Sequence, residues 1–185
     1  PFFPKFLREH SINSTYLGFT MSAFAVAFIL SSVITGKIIL MRFQRLTCCF
    51  IGALFIIVNL FGLASLNVVE TKKQIIYLAF VFQIAGGIGN GINTPSSLAL
   101  LSSYKHDRQA YIGYFELFGG LGGLVGPLVG AAFYYFGGYS APFFGIGLIY
   151  LLIILILGLI LAPFLGGSIK EGYTDAATSY ADKVQ

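Results

Sequence analysis

With 185 residues, 57% apolar and only 10% charged side chains, and a mean hydropathy of +0.85, the chain has too little charge to cover a water-facing surface; soluble domains carry about 25% charged residues. A membrane protein is predicted. The net charge of +4 comes with no basic cluster interleaved with aromatics, which excludes a nucleic-acid partner.

A membrane helix needs about 20 mainly apolar residues, and five charge-bounded runs of that length follow in chain order: Thr15 to Gly36, Leu46 to Leu66, Ile75 to Leu101, Tyr111 to Phe136 and Pro142 to Phe164. Residues 1–14 read as a loop on the lumenal or extracellular side, entered from an earlier helix that Pro1-Phe2-Phe3-Pro4 would close. Residues 15–164 form the transmembrane domain, and residues 165–185, from Gly166-Gly167-Ser168 to Lys183, a polar cytoplasmic tail or linker. The connections are short, so successive helices run antiparallel. The runs lack a period of two and exceed the 9 to 11 residues of a barrel strand. The fold class is therefore all-α, a polytopic transmembrane helical bundle, and the protein a multi-pass integral membrane protein.

Lys37, Arg42, Arg45, Lys105, Arg108, Lys170 and Lys183 fall on one side, and Lys5, Arg8, Lys72 and Lys73 on the other. Cytoplasmic loops carry the excess of Lys and Arg, which puts the tail in the cytoplasm. Asn13-Ser14-Thr15 is a formal glycosylation sequon on the outer side.

Six of the seven acidic residues lie in loops or the tail; Glu116 alone is inside a span. An ionisable group there costs about 2.5 to 3.5 kcal/mol or more and is a functional candidate by default. At about 100° per residue, Gly113, Gly120, Gly123 and Pro127 share its stripe, which reads as a packing face or a cavity wall. Glu116 is then either helix-packing glue or a proton-relay or gating group. The third span is the other polar one, with Gln83, Asn90, Asn93, Thr94 and Ser97 among Gly86, Gly87, Gly89 and Gly91. Its face looks into a wet pathway or onto another helix, and Pro95 predicts a bend near Gly91. Ser22, Ser31, Ser32 and Thr35 in the first span and Asn59 in the second can bond their own helix backbones, and most of them read as structural. The fifth span, Leu, Ile and Gly with no strong polar group, reads as lipid-facing support.

No catalytic pair or triad and no GxxxxGK[ST] pattern occurs, so no enzyme and no cofactor are expected. No metal site is expected either: His10 and His106 sit in loops on opposite sides, and Cys48-Cys49 lacks ligand spacing.

The fourth span reads Gly113-x8-Gly122-x3-Gly126-Pro127-x2-Gly130-Ala131. This resembles the antiporter signature of the major facilitator superfamily, GxxxxxxxxGxxxGPxxGG, with Ala131 for the last Gly. The Tyr114-to-Gly122 context and Gly137-Gly138-Tyr139-Ser140-Ala141-Pro142-Phe143 look most like the vesicular amine and polyamine transporter branch. The resemblance implies helices two to six of the amino-terminal half of a 12-helix fold, with a first helix and a second six-helix half, or other membrane subunits, as partners beside the lipid bilayer. It implies transport of a small organic solute by alternating access, as a facilitator or by proton-coupled antiport of cationic amines. Glu116 would exchange protons while Gln83, Asn90 and Asn93 line the route. Gly36, Arg42 and Arg45 match the family's inner-gate loop, where Leu40 replaces its Asp and Phe43 its second Gly; Gln83 stands where an Arg is usual. These departures support the alternative, a non-transporting structural subunit of a larger membrane complex.

Overall fold

The computed structural model describes residues 2–9, 12–40, 43–102 and 108–181, with side chains considered as far as residue 160. Arg42, Lys105, His10, His106 and Lys183 lie outside the described residues. Among the described residues six α-helices follow one another: α1 (Phe2–Glu9), α2 (Ser14–Ile34), α3 (Arg45–Ser65), α4 (Lys72–Leu101), α5 (Arg108–Gly137) and α6 (Ser140–Ala181). A π-helical turn, Thr35–Ile39, extends α2, and a 3-10 turn, Leu66–Val68, closes α3. Among the described residues there is no strand, and five helical stretches are long and apolar enough to cross a membrane. These are Thr15–Ile39, Arg45–Val68, Lys72–Leu101, Arg108–Gly137 and Ser140–Ile160, each overlapping one predicted span. The protein is an all-α, multi-pass integral membrane protein.

Register follows from side-chain pairings. Along α3 and α4, Arg45 meets Ala99, Gly52 meets Gly89 and Asn93, and Asn59 meets Gly86 and Phe82. One number rises while the other falls, so the two helices are antiparallel. Between α2 and α4, Met21 meets Gln83, Phe24 and Ala27 meet Gly87, and Phe28 and Ser31 meet Gly91. Both numbers rise together, so α2 and α4 are parallel, as an up-and-down chain requires.

The packing of α4 explains its glycines. A Cβ at Gly87 or Gly91 would collide with the α2 backbone, and one at Gly52 would lie 2.8 Å from both the Asn93 amide nitrogen and the Gly89 carbonyl oxygen. These helices therefore touch backbone to backbone, and small residues at the crossing raise the dispersion contact that holds helices together in lipid. Helix α4 is held between α2 and α3, and runs on through Pro95 to Leu101.

Two predicted non-helical segments are helical. In the expected loop at residues 1–14, Phe3, Phe6 and Leu7 recur at helical spacing and are all buried. Pro4 sits in the first turn, where its missing N–H has no intrahelical duty. Helix α1 thereby joins Leu63, Leu66, Ile75, Ala79 and Tyr139 in the main apolar core, and the Phe6 and Tyr139 rings stack at 3.9 Å. This core lies at the end of the bundle where α2, α4 and α6 begin. At the other terminus α6 continues through the expected tail to Ala181; good helix formers such as Lys170, Glu171, Ala176 and Ala177 outweigh Gly166-Gly167. The chain divides into two units, residues 1–150 and 151–185, the second being the remainder of α6.

Candidate functional site

The N-cap of α2 is Asn13, whose side-chain oxygen accepts from the Thr15 amide at 3.3 Å. The sequon asparagine is thus the helix N-cap, a role that accounts for the residue without glycosylation. At the opposite end of the bundle Arg45, first residue of α3, donates to the Ala99 carbonyl at 2.9 Å. It satisfies a carbonyl in the last turn of α4, where a cation also meets the negative end of the helix dipole. Of the other inner-gate residues, Gly36 lies exposed in the π-helical turn and Arg42 is not described.

The polar residues of α4 separate by partner. Asn93 donates to the Tyr150 hydroxyl on α6 at 3.1 Å, the Ser97 hydroxyl donates to the Asn93 side-chain Oδ1 at 2.9 Å, and the Ser97 hydroxyl lies 3.7 Å from the Cys49 sulfur on α3. This is a polar string crossing three helices. Gln83, buried, aims its amide at the Met21 sulfur on α2, 4.0 Å away, while Asn90 turns back to the Gly86 carbonyl of its own helix at 2.9 Å. The structure therefore brings Asn93 together with Ser97, Cys49 and Tyr150, and gives Gln83 and Asn90 separate partners.

Two expectations need correction here. Own-helix bonds fail at three positions: the Asn59 amide crosses to the Phe82 carbonyl on α4 at 2.6 Å, and the buried Ser32 and Thr35 hydroxyls have no hydrogen-bond partner among the described residues. Nor is the fifth span without a polar contact, since Tyr150 meets Asn93 and Ser140 donates to the Ala64 carbonyl at 2.8 Å. Tyr150 was hidden by its surroundings, one hydroxyl within a run of Leu and Ile. Ser31 behaves as expected, bonding the Ala27 and Phe28 carbonyls of its own helix.

Helix α5 carries Glu116 and the glycine motif. A Cβ added at Gly113, Gly122 or Gly126 would meet nothing within 4 Å; Gly130 is the buried member, and Pro127 lies inside the helix. Glu116 is exposed on this open surface and has no hydrogen-bond or ion-pair partner among the described residues. It stands eight residues after Arg108, and Asn93 eight residues before Leu101. At about 1.5 Å per residue both lie about 12 Å from those ends of their helices. Measured along their helices the two stand equally far from that end, about 12 Å being just short of the middle of a hydrocarbon layer about 30 Å thick.

At the turn between α5 and α6, Gly138 takes a φ of 68°, a left-handed value that costs glycine little, and its amide bonds the Tyr134 carbonyl at 2.9 Å. Tyr139 follows, buried beside α1, where loss of water holds its hydroxyl protonated far above the usual tyrosine range.

The chain is 30% identical over 158 residues to the MFS-type transporter SLC18B1 of Mus musculus and to that of Rattus norvegicus, and 27% identical to that of Homo sapiens. Each alignment covers 83% of this chain and 34% of the relative, so the chain spans about a third of the length of the curated relatives it matches. No solved structure matches it. The model of the Major Facilitator Superfamily matches residues 1–175, and with five span-length helices and an open glycine-rich helix α5 already in place, the chain belongs to that superfamily of transporters.

Proposed function

We propose that the full-length protein carries a small organic solute across a membrane by alternating access, with this chain supplying part of one half. The observation that carries the reading is the open face of α5, where glycines and a lone carboxyl lie along one helix with no cover from the described residues. A carboxyl at that depth is costly against lipid, so the face belongs against another helix or a water-filled route. Glycines let a neighbouring helix approach and slide closely there. Glu116 is the proton-exchanging group of this proposal, and Asn93, at the same depth, borders the route together with Gln83 and Asn90. The solute is a cationic amine, following the branch resemblance, with the protonated amine and the proton competing for one carboxylate.

A transporter without proton coupling is the second reading, favoured by Gln83 standing buried against Met21 where the family usually places an Arg. Both are tested with the full-length protein in proteoliposomes, by uptake of a labelled polyamine under an imposed pH gradient. Proton antiport requires that Glu116→Gln abolish the response to the gradient while exchange of polyamine at equal pH persists. An unchanged response removes Glu116 from coupling; absence of a response in the parent protein favours the facilitator. No uptake in either condition would favour the structural subunit.

A further inference from the structure

A groove of about 450 Å³ runs between α2 and α4 at their outer ends, lined by Tyr16, Phe19, Thr20, Lys73, Ile76, Tyr77 and Phe80. Its chemistry changes with depth. Lys73 is the second residue of α4, Tyr77 lies about one turn further on, and Phe80 about 10 Å below Lys73 at 1.5 Å per residue. Helix α2 runs parallel, and the Met21–Gln83 pairing sets Tyr16 beside Tyr77 and Phe19 near Phe80. The Thr20 hydroxyl donates to the Tyr16 and Leu17 carbonyls of its own helix, so it offers the groove no free polar group. From the outer surface inward the lining is therefore one ammonium, then two tyrosines, then aromatic and aliphatic carbon.

That sequence of polarity is the one a phospholipid presents on going from phosphate to ester to acyl chain. Lys73 is the sole charged lining residue, and basic side chains outnumber acidic ones at this end of the bundle, with Lys5, Arg8, Lys72 and Lys73 against Glu9 and Glu70. Tyr16, Phe19, Tyr77 and Phe80 are each at least 40% exposed, so their rings are open to an amphiphile lying along the groove. We propose that this groove holds an anionic phospholipid of the outer leaflet, its phosphate against Lys73 and one acyl chain along Phe19, Ile76 and Phe80. The site is separate from Glu116 and does not depend on the transport reading.

Native mass spectrometry of the full-length protein, stripped of endogenous lipid in mild detergent, tests the proposal with dioleoylphosphatidylglycerol, dioleoylphosphatidylcholine and glycerol 3-phosphate as probes. The parent protein should retain phosphatidylglycerol over phosphatidylcholine by about fivefold, the contribution of one basic residue near an anionic membrane surface. Lys73→Gln, a change at an exposed position, should erase the preference, and Lys73→Arg should keep it. Phe80→Ala should lower retention of both lipids without altering their ratio. Equal retention of the two lipids by the parent, an unchanged preference in Lys73→Gln, or displacement of the lipid by millimolar glycerol 3-phosphate would each overturn the assignment. So would retention of no lipid, the result if another part of the protein fills the groove.

Discussion

Replacing Gly89 by Ala adds one methyl group where α3 and α4 approach backbone to backbone. On the existing backbone that carbon would lie 2.8 Å from the Phe55 Cβ and 2.9 Å from both the Gly52 carbonyl oxygen and the Ile56 amide nitrogen. Ordinary carbon contacts are about 3.5 to 4.0 Å, so the helices must part by roughly 0.6 to 1 Å. Every neighbour is backbone or Cβ, and no change of rotamer relieves the clash. Overpacking of this kind costs about 1 to 3 kcal/mol, against a gain of about 1 kcal/mol from the better helix propensity of Ala. Gly122→Ala on α5 has the same propensity gain with no clash, because its added Cβ meets nothing within 4 Å. Comparing the two cancels propensity and leaves about 1 to 3 kcal/mol, or a midpoint about 2 to 12 °C lower for Gly89→Ala in a chain of this size. Thermal loss of helical circular dichroism, followed for both variants of the 185-residue chain in one detergent, measures it. A Gly89→Ala midpoint equal to or above that of Gly122→Ala would refute the backbone contact. Gly52 lies directly across, so adding Gly52→Ala should cost less than it does alone, the helices having already parted.

Tyr150→Phe removes the hydroxyl that receives Asn93 and should cost about 0.6 kcal/mol, the average for interhelical hydrogen bonds in membranes. It should also raise the rate at which maleimide labels Cys49, since Asn93 and Ser97 lose their anchor; unchanged labelling would break the string as drawn. Phe6→Ala should cost about 3 to 5 kcal/mol, as expected for a large buried aromatic. The same variant should release the Tyr139 hydroxyl, lowering its titration midpoint by ultraviolet difference spectroscopy. The sign follows from burial: water returning to the phenol favours the phenolate. An α1 without stabilising contacts would leave both readouts unmoved.

The spans were legible because charge marks their ends: Lys37 and Arg45 bracket one turn, Lys72 and Lys73 open α4, and Arg108 opens α5. Helix α1 was not, because eight residues with a proline are too few for a periodic signal to exceed that of a loop, and its stability comes from Tyr139 and Leu66, distant in sequence. Glycines on α4 announced close packing, yet Gly87 and Gly91 serve α2 while Gly86 and Gly89 serve α3. A spacing of four reveals a face but not which neighbour occupies it. Asn93 was singled out for its chemistry, whereas its partner Tyr150 depends on the approach of α6, which no local pattern encodes. Glu116 stood out because charge is rare in a span; what opposes it depends on surfaces beyond these helices.

Helix α4 has no cushion of side chains on either flank where Gly52, Gly87, Gly89 and Gly91 lie. A layer of long side chains would absorb small displacements by rotamer change, as the suspension of a vehicle absorbs a bump. Here a push along α4 passes undamped to α2 and α3, so the three helices behave as one stiff plate. Compliance is left to α5, whose glycine face is uncovered.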